Sequence, residues 1–230
     1  MSFMGNIKGR MALARQGKGD VEGAKKLYEE ALNAGLNSAQ FMLAYSVLLL
    51  RDGDYEKAKS LLVKTQKAPG ITDGQRQQLF MNYAVACYKL GDLPRAIELM
   101  EKQHQRSPSG IIYGTLGYLY VESGDLEKAK AFNQQALEYD DSDPIALDNM
   151  GQTLYRLAGD KEAAKPYFEK AAKEKPNQID TLYFLAQYDM EAGNKEAAIE
   201  KLEKALEGRF SPLNHANREK IQNALDQLKA

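Results

Sequence analysis

"GIIYGTLGYLYVESGDLEKAKAFNQQALEYDDSDP", residues 110–144, reads as two helices separated by one turn. From Ile111 to Glu122 apolar residues recur at helical spacing. "SGD" then breaks the pattern. Gly124 can take the left-handed conformation that ends a helix, and the Asp125 carboxylate can cap the next one. "LEKAKAFNQQAL" follows as a second amphipathic helix, and polar residues with Asp143-Pro144 close the unit. Gly117 in the first helix and Ala129 in the second are small where the two helices must approach closely. A bulkier side chain at either position would push the pair apart.

The same unit recurs along the chain, and internal repetition of this period indicates a repeat architecture. Gly-Asp or Gly-Asn stands at Gly19, Gly53, Gly91, Gly124, Gly159 and Gly193. Each time an alanine lies five residues on, at Ala24, Ala58, Ala96, Ala129, Ala164 and Ala198. The glycine-to-glycine spacings are 34, 38, 33, 35 and 34 residues. Four extra residues, "DGQR" at 73–76, precede the third copy and are expected to lengthen its first helix from a cap at Thr72. The fifth copy holds one extra residue, expected in its turn at Ala158.

These residues resemble the tetratricopeptide repeat, a helix–turn–helix unit of about 34 residues. The fourth copy carries Tyr113, Leu116-Gly117, Tyr120, Gly124, Ala129 and Ala136 at that family's spacing. The fifth carries Leu147, Met150-Gly151, Leu154, Gly159, Ala164, Phe168, Ala171 and Pro176. The first copy departs from the pattern, with Lys8 and Arg15 where the family prefers aromatic residues. The resemblance implies an all-α fold: a right-handed superhelical α-solenoid of stacked antiparallel helix pairs. It implies one domain over residues 1–230, with repeats at about 5–38, 39–72, 77–110, 110–143, 144–178 and 179–212. A capping helix is expected over about 213–229, with Ile221, Leu225 and Leu228 as its apolar stripe, because an end repeat needs a polar outer face.

"FMLAYSVLLL", residues 41–50, is the longest apolar run, about half the ~20 residues that span a bilayer. Membrane insertion by this chain is therefore not expected. In the repeat frame the run is the first helix of the second copy. Phe41, Met42, Tyr45, Leu48 and Leu49 serve as core, while Leu43, Val47 and Leu50 are left without a packing role. No secretory signal is visible, and the chain reads as soluble and cytoplasmic. The abrupt apolar start "MSFMG" leaves open that it is a soluble part of a longer, membrane-anchored protein.

Thirty-one basic residues face 32 acidic ones, a balance that gives no electrostatic reason to expect nucleic acid. Cys87 is the single cysteine, so no internal disulfide framework exists. It falls on a core-facing helical position and reads as a small buried hydrophobe. His104 and His215 have no Cys or His at ligand spacing and read as solvated. No HExxH, CxxC, GxSxG or P-loop pattern occurs, and the glycines of "GIIYGTLG" are wrongly spaced for phosphate. No enzyme activity, catalytic residue, metal or cofactor is expected.

In the family, ligands usually lie along the first helices, in the concave groove. By resemblance the second copy contributes Leu43, Val47, Leu50 and Arg51, and the third Met81, Asn82, Val85, Tyr88 and Lys89. The fourth contributes Thr115, Tyr118 and Val121, the fifth Asn149, Tyr155 and Arg156, and the sixth Tyr183. The apolar members would form one exposed patch if the groove were empty, and such patches usually mark interaction sites. A partner, a second subunit, tight curvature or the chain's own terminus could each cover it. The two-Lys, two-Asn, one-Arg clamp of chaperone-binding members matches no three consecutive copies, so a chaperone carboxylate tail is not the expected ligand. Asn82 and Asn149 occupy the position that in other members hydrogen-bonds a peptide backbone. Local helix–helix hydrogen bonding is the alternative. The expected function is a non-enzymatic scaffold that holds a peptide or amphipathic helix of a partner protein. Self-association into a homo-oligomer, or an adaptor or sensor role in a longer protein, are the alternatives.

Overall fold

The computed structural model describes residues 2–229. Its regular structure is helical throughout: thirteen α-helices and one π-helical turn. The chain forms two compact units, residues 1–103 and 104–230, and the division falls near the end of a helix.

The first unit pairs α1 (Ser2–Gly17) with α2 (Val21–Asn33) and α3 (Ala39–Asp52) with α4 (Tyr55–Thr65). α5 (Asp73–Lys89) then leads into α6 (Leu93–Arg106). The second unit pairs α7 (Gly110–Ser123) with α8 (Leu126–Tyr139), and α9 (Pro144–Gln152) with α10 (Lys161–Glu174). It continues with α11 (Ile179–Glu191) against α12 (Lys195–Leu206), and ends in α13 (Arg218–Lys229).

The joint inside each pair follows from its Gly-Asp. At all six joints the glycine φ lies between 70° and 87°, a left-handed conformation that costs glycine least. The next residue caps the second helix. Asp20, Asp54, Asp92, Asp125 and Asp160 accept from the third amide of α2, α4, α6, α8 and α10 at 2.9–3.4 Å. Asn194 makes no such bond. Thr72 starts α5 with a reciprocal capping box to Gln75, as the insertion predicts. Close approach is equally literal: a Cβ on Gly117 would run into Asn133 Oδ1.

The first unit is packed by Tyr28 stacked on Tyr45 (4.9 Å, 15°) and by Leu43, Leu62 and Leu79. Cys87 is buried there, and burial pushes its thiol pKa up, which suits a structural residue. The second unit centres on Phe168 stacked on Phe184 (4.8 Å, 11°), and farther along on Leu182, Leu202, Ile221 and Leu225.

Four expectations need correction. The extra residue of the fifth copy does not loop out at Ala158. It is wound into the helix as a π turn, Thr153–Ala158, so the closing bond runs from Asp160 N back six residues to Leu154 O. The equivalent bonds at Asp20, Asp54, Asp92 and Asn194 run back five. The last helix starts at Arg218 and not near 213, because Asn217 caps it through Lys220 N (2.8 Å). The residues before it instead form a hydrogen-bonded loop held by Asp180. Neither histidine is solvated: His104 sits edge-on to Tyr113 and Phe132, and His215 stacks on Phe184 (5.4 Å, 18°).

Candidate functional site

The expected patch is not an open apolar surface. In the first unit Leu43, Leu50 and Val85 are buried. Leu43 packs on Leu62 and Leu79, with Ile71, Phe80 and Tyr83 around them. Stacking of α3 and α4 against α5 therefore uses a residue that packing inside one repeat leaves over. Val47, Met81, Tyr88 and Lys89 remain half-buried and Arg51 exposed. The Lys89 ammonium lies 5.0 Å from the Tyr88 ring centroid. Val47 and Arg51 are one turn apart on α3, and Met81 and Tyr88 two turns apart on α5.

In the second unit Thr115, Tyr118 and Val121 are buried. Tyr155 lies against Phe184 (5.1 Å) and Tyr188 (5.7 Å), half inside the aromatic core. Tyr183 is half-buried beneath Lys220, whose Nζ lies 5.0 Å from the ring centroid. The two asparagines are inside as well. Asn82 Nδ2 donates to Ser46 Oγ (3.1 Å), and Asn149 Nδ2 donates to Gly114 O (2.9 Å). They tie one repeat to the next, the alternative to reading peptide backbone.

The second unit instead carries a buried polar line that reading one copy at a time misses. Arg156 Nη1 donates to Glu122 Oε1 and to Gln152 Oε1, both at 2.8 Å. Gln152 Nε2 donates to Asp148 Oδ2 (2.7 Å), and Thr181 Oγ1 donates to Asp148 Oδ1 (2.5 Å). One residue on, Asp180 accepts from Asn214 Nδ2 (3.1 Å), His215 N (3.1 Å) and Ala216 N (2.9 Å). The chain's own C-terminal segment thus covers Asp180, Tyr183 and Phe184 on α11.

Burial dominates the electrostatics of this line. It raises the pKa of both carboxyls, with Asp180 adding to the rise at Asp148. It depresses His215 to about 3, helped by Arg156 and Lys220. A neutral imidazole accepts at Nε2 from the Lys220 ammonium, 2.7 Å away. Tyr155 and Arg156 both lie within the π turn Thr153–Ala158.

A further concavity of about 330 Å³ lies in the same unit between α8, α9 and α10. Leu137, Leu147 and Tyr167 line it together with Glu138, Asp141 and Lys170. Its residues belong to ordinary amphipathic faces, so no sequence signal marks it. Among the described residues no group of three His, Cys, Asp or Glu could hold a metal ion. Nor is any helix there long and apolar enough to cross a membrane.

Comparison with known proteins agrees with this geometry. The tetratricopeptide repeat family matches residues 10–69, and again 111–143 and 146–178. Tetratricopeptide repeat protein 13 of Homo sapiens is 36% identical over 112 residues, which are 49% of this chain and 13% of that protein. A TPR repeat-containing protein of Methanocaldococcus jannaschii is 29% identical over 164 residues, 70% of this chain and 28% of that one. The chain therefore spans about a quarter or less of the length of these curated relatives. A tetratricopeptide repeat protein of Parabacteroides merdae has a similar structure. Its TM-score is 0.80 at 15% identity, covering 98% of this chain and 84% of that one. Sequence match, six glycine joints and helix-pair architecture agree: the chain belongs to the tetratricopeptide repeat family.

Proposed function

We propose that the chain is a non-enzymatic scaffold that binds a peptide or amphipathic helix of a partner protein on the first-helix faces α3 and α5. Tetratricopeptide repeats in general mediate protein–protein interaction, and membership of that family supports the class of function. One observation favours α3 and α5 over the sixth repeat. Val47, Met81 and Tyr88 keep accessible apolar surface beside Arg51 and Lys89, whereas α11 is covered by the chain's own C-terminal segment.

Two or three such anchors, each contributing up to about 1.5–3 kcal/mol before ordering costs, suit roughly micromolar binding. The test pairs Val47→Asp with Tyr88→Ala, since neither side chain is fully buried and the fold should survive. Recovery of partners from the native cell is expected to drop to background while helical circular dichroism stays at the wild-type level. Undiminished recovery would move the binding site elsewhere.

A further inference from the structure

α1 is built inside out. Its packing face consists of Gly5, Gly9 and Ala12, all buried. A Cβ on Gly5 would run into the Gly35–Leu36 backbone, and one on Gly9 into Leu36 and Phe41. The small residues thus bring the helix close to its neighbours. The large apolar residues point the other way: Phe3 is 76% exposed, Met4 54%, Ile7 40% and Met11 52%. With Ala14 they form one stripe at helical spacing. Four large apolar side chains in three turns differ from the single exposed residues that any surface carries.

The repeat frame shows what this stripe is shaped to receive. Met11 lies eight residues before Gly19, as Tyr45 lies eight before Gly53. Tyr45 is covered by the second helix of the preceding pair: its ring stacks on Tyr28 of α2, and its hydroxyl donates to the Glu29 carboxylate. The occupant of that face on α3 is therefore a helix that brings an apolar residue and an acid. Among the described residues no helix takes the matching place on α1.

Charge narrows the occupant further. α1 contains Lys8, Arg10 and Arg15 and no acid, and Lys18 follows in the turn. Lys8 is paired with Glu30 and Arg15 with Asp20. Arg10, beside the stripe on α1, and Lys18, in the turn beyond its C-terminal end, are both exposed. A second α1 laid on the first would bring like charges together. α13 of another copy would offer Glu219, Gln222, Asn223 and Asp226, a polar surface with nothing to fill an apolar stripe.

We infer that the outward face of α1 is a second docking surface, and that it takes an acidic amphipathic helix from a partner protein in the position α2 holds on α3. The docked helix buries Ile7 and Met11 under its apolar stripe and sets carboxylates against Arg10 and Lys18. The surface is separate from the one proposed on α3 and α5, and either can fail without the other.

The test titrates the full chain with two synthetic helical peptides of about two heptads. They share one Leu/Ala stripe and carry either Glu or Lys on its flanks. The Glu-flanked peptide is expected to bind at least about tenfold more tightly, a difference of about 1.4 kcal/mol. Met11→Asp should weaken it at least about tenfold. Arg10→Glu with Lys18→Glu should reverse the preference. Val47→Asp with Tyr88→Ala should change nothing. All of these residues are exposed or half-buried, so thermal melts serve as the folding control. Equal affinity for the two peptides, or binding unaffected by Met11→Asp, overturns the inference. So does association with phosphatidylserine vesicles that Met11→Asp abolishes in the absence of peptide binding, which assigns the face to a membrane surface. Concentration-dependent dimerisation abolished by Met11→Asp would assign it to a second copy and overturn it too.

Discussion

The two units share one frame and differ in what they enclose. In the first, the buried polar side chains are Ser46, Thr65 and Asn82, none of them ionisable. In the second they include Thr115, Asn133, Asp148, Asn149, Gln152, Thr153, Gln178, Asp180 and Thr181. The difference shows that a helix-pair repeat constrains its joints and close approaches far more than its interior chemistry. An apolar interior is stabilised by burial and shape, with little dependence on pH. A polar interior is stabilised only while every member keeps its partner and protonation state.

The largest expected effect breaks the apolar side. Leu62 is fully buried against Leu43 and Leu79, and Leu62→Ala should cost about 2–5 kcal/mol through lost transfer energy and a residual cavity. Hydrogen exchange of the α3 and α4 amides reads the loss locally. A loss well under 1 kcal/mol would mean that the first unit collapses around the gap and is less specifically packed than its contacts imply.

The second prediction concerns pH and is confined to the second unit. Burial and the neighbouring Asp180 push Asp148 up to about 7 from its ordinary 3.8. Below that ordinary value the carboxyl is protonated in both states. As pH rises toward 7 the unfolded chain ionises first, so stability falls across that window. His215 runs the other way. It is held near 3 against an ordinary 6.5, so stability falls as pH drops from about 6.5 toward 3. The two slopes oppose each other in mildly acidic solution. Asp148→Asn should leave the His215 loss opposed only by Asp180, whose carboxyl pKa burial also raises, and so steepen acid destabilisation, while His215→Gln should leave a unit that gains stability on acidification. Hydrogen exchange of α9 and α11 at pH 5 and 7.5 separates them, with α3 and α4 as an internal reference. Parallel profiles in both variants would remove the polar line as the source of any pH response.

What could be read from sequence divides along the same border. Gly124, Asp125, Gly117 and the Thr72 cap were legible because each acts within one turn or one helix pair. A left-handed φ, a capping oxygen and a missing Cβ are local requirements. The fate of Leu43, Leu50 and Val85 was not legible, because it depends on how closely the next pair stacks. Asn82 and Asn149 stand in positions that suit either a ligand or a neighbouring repeat, and only their partners, Ser46 Oγ and Gly114 O, decide between the two. The extra residue of the fifth copy was countable, but its place was not: a turn and a π bulge absorb it equally well in the spacing. The loop before α13 has helix-compatible residues, and it is Asp180, more than thirty residues away in sequence, that holds it out of the helix.

The smallest effect sharpens the shared half of the comparison. Asp54 caps α4 in the first unit and Asp125 caps α8 in the second, through Lys57 N (3.4 Å) and Lys128 N (3.0 Å). If the frame is common and only the interiors differ, Asp54→Ala and Asp125→Ala should each cost about 1 kcal/mol, equal within a few tenths. Asn194→Ala should cost less, because Asn194 makes no side-chain bond to cap α12. First-turn amide exchange in α4, α8 and α12 gives all three numbers at neutral pH. A cap in the second unit several times more costly than its counterpart in the first would couple that joint to the polar line beneath it. Joint and interior would then not be separable, and the two units would differ in their frame as well as in what the frame encloses.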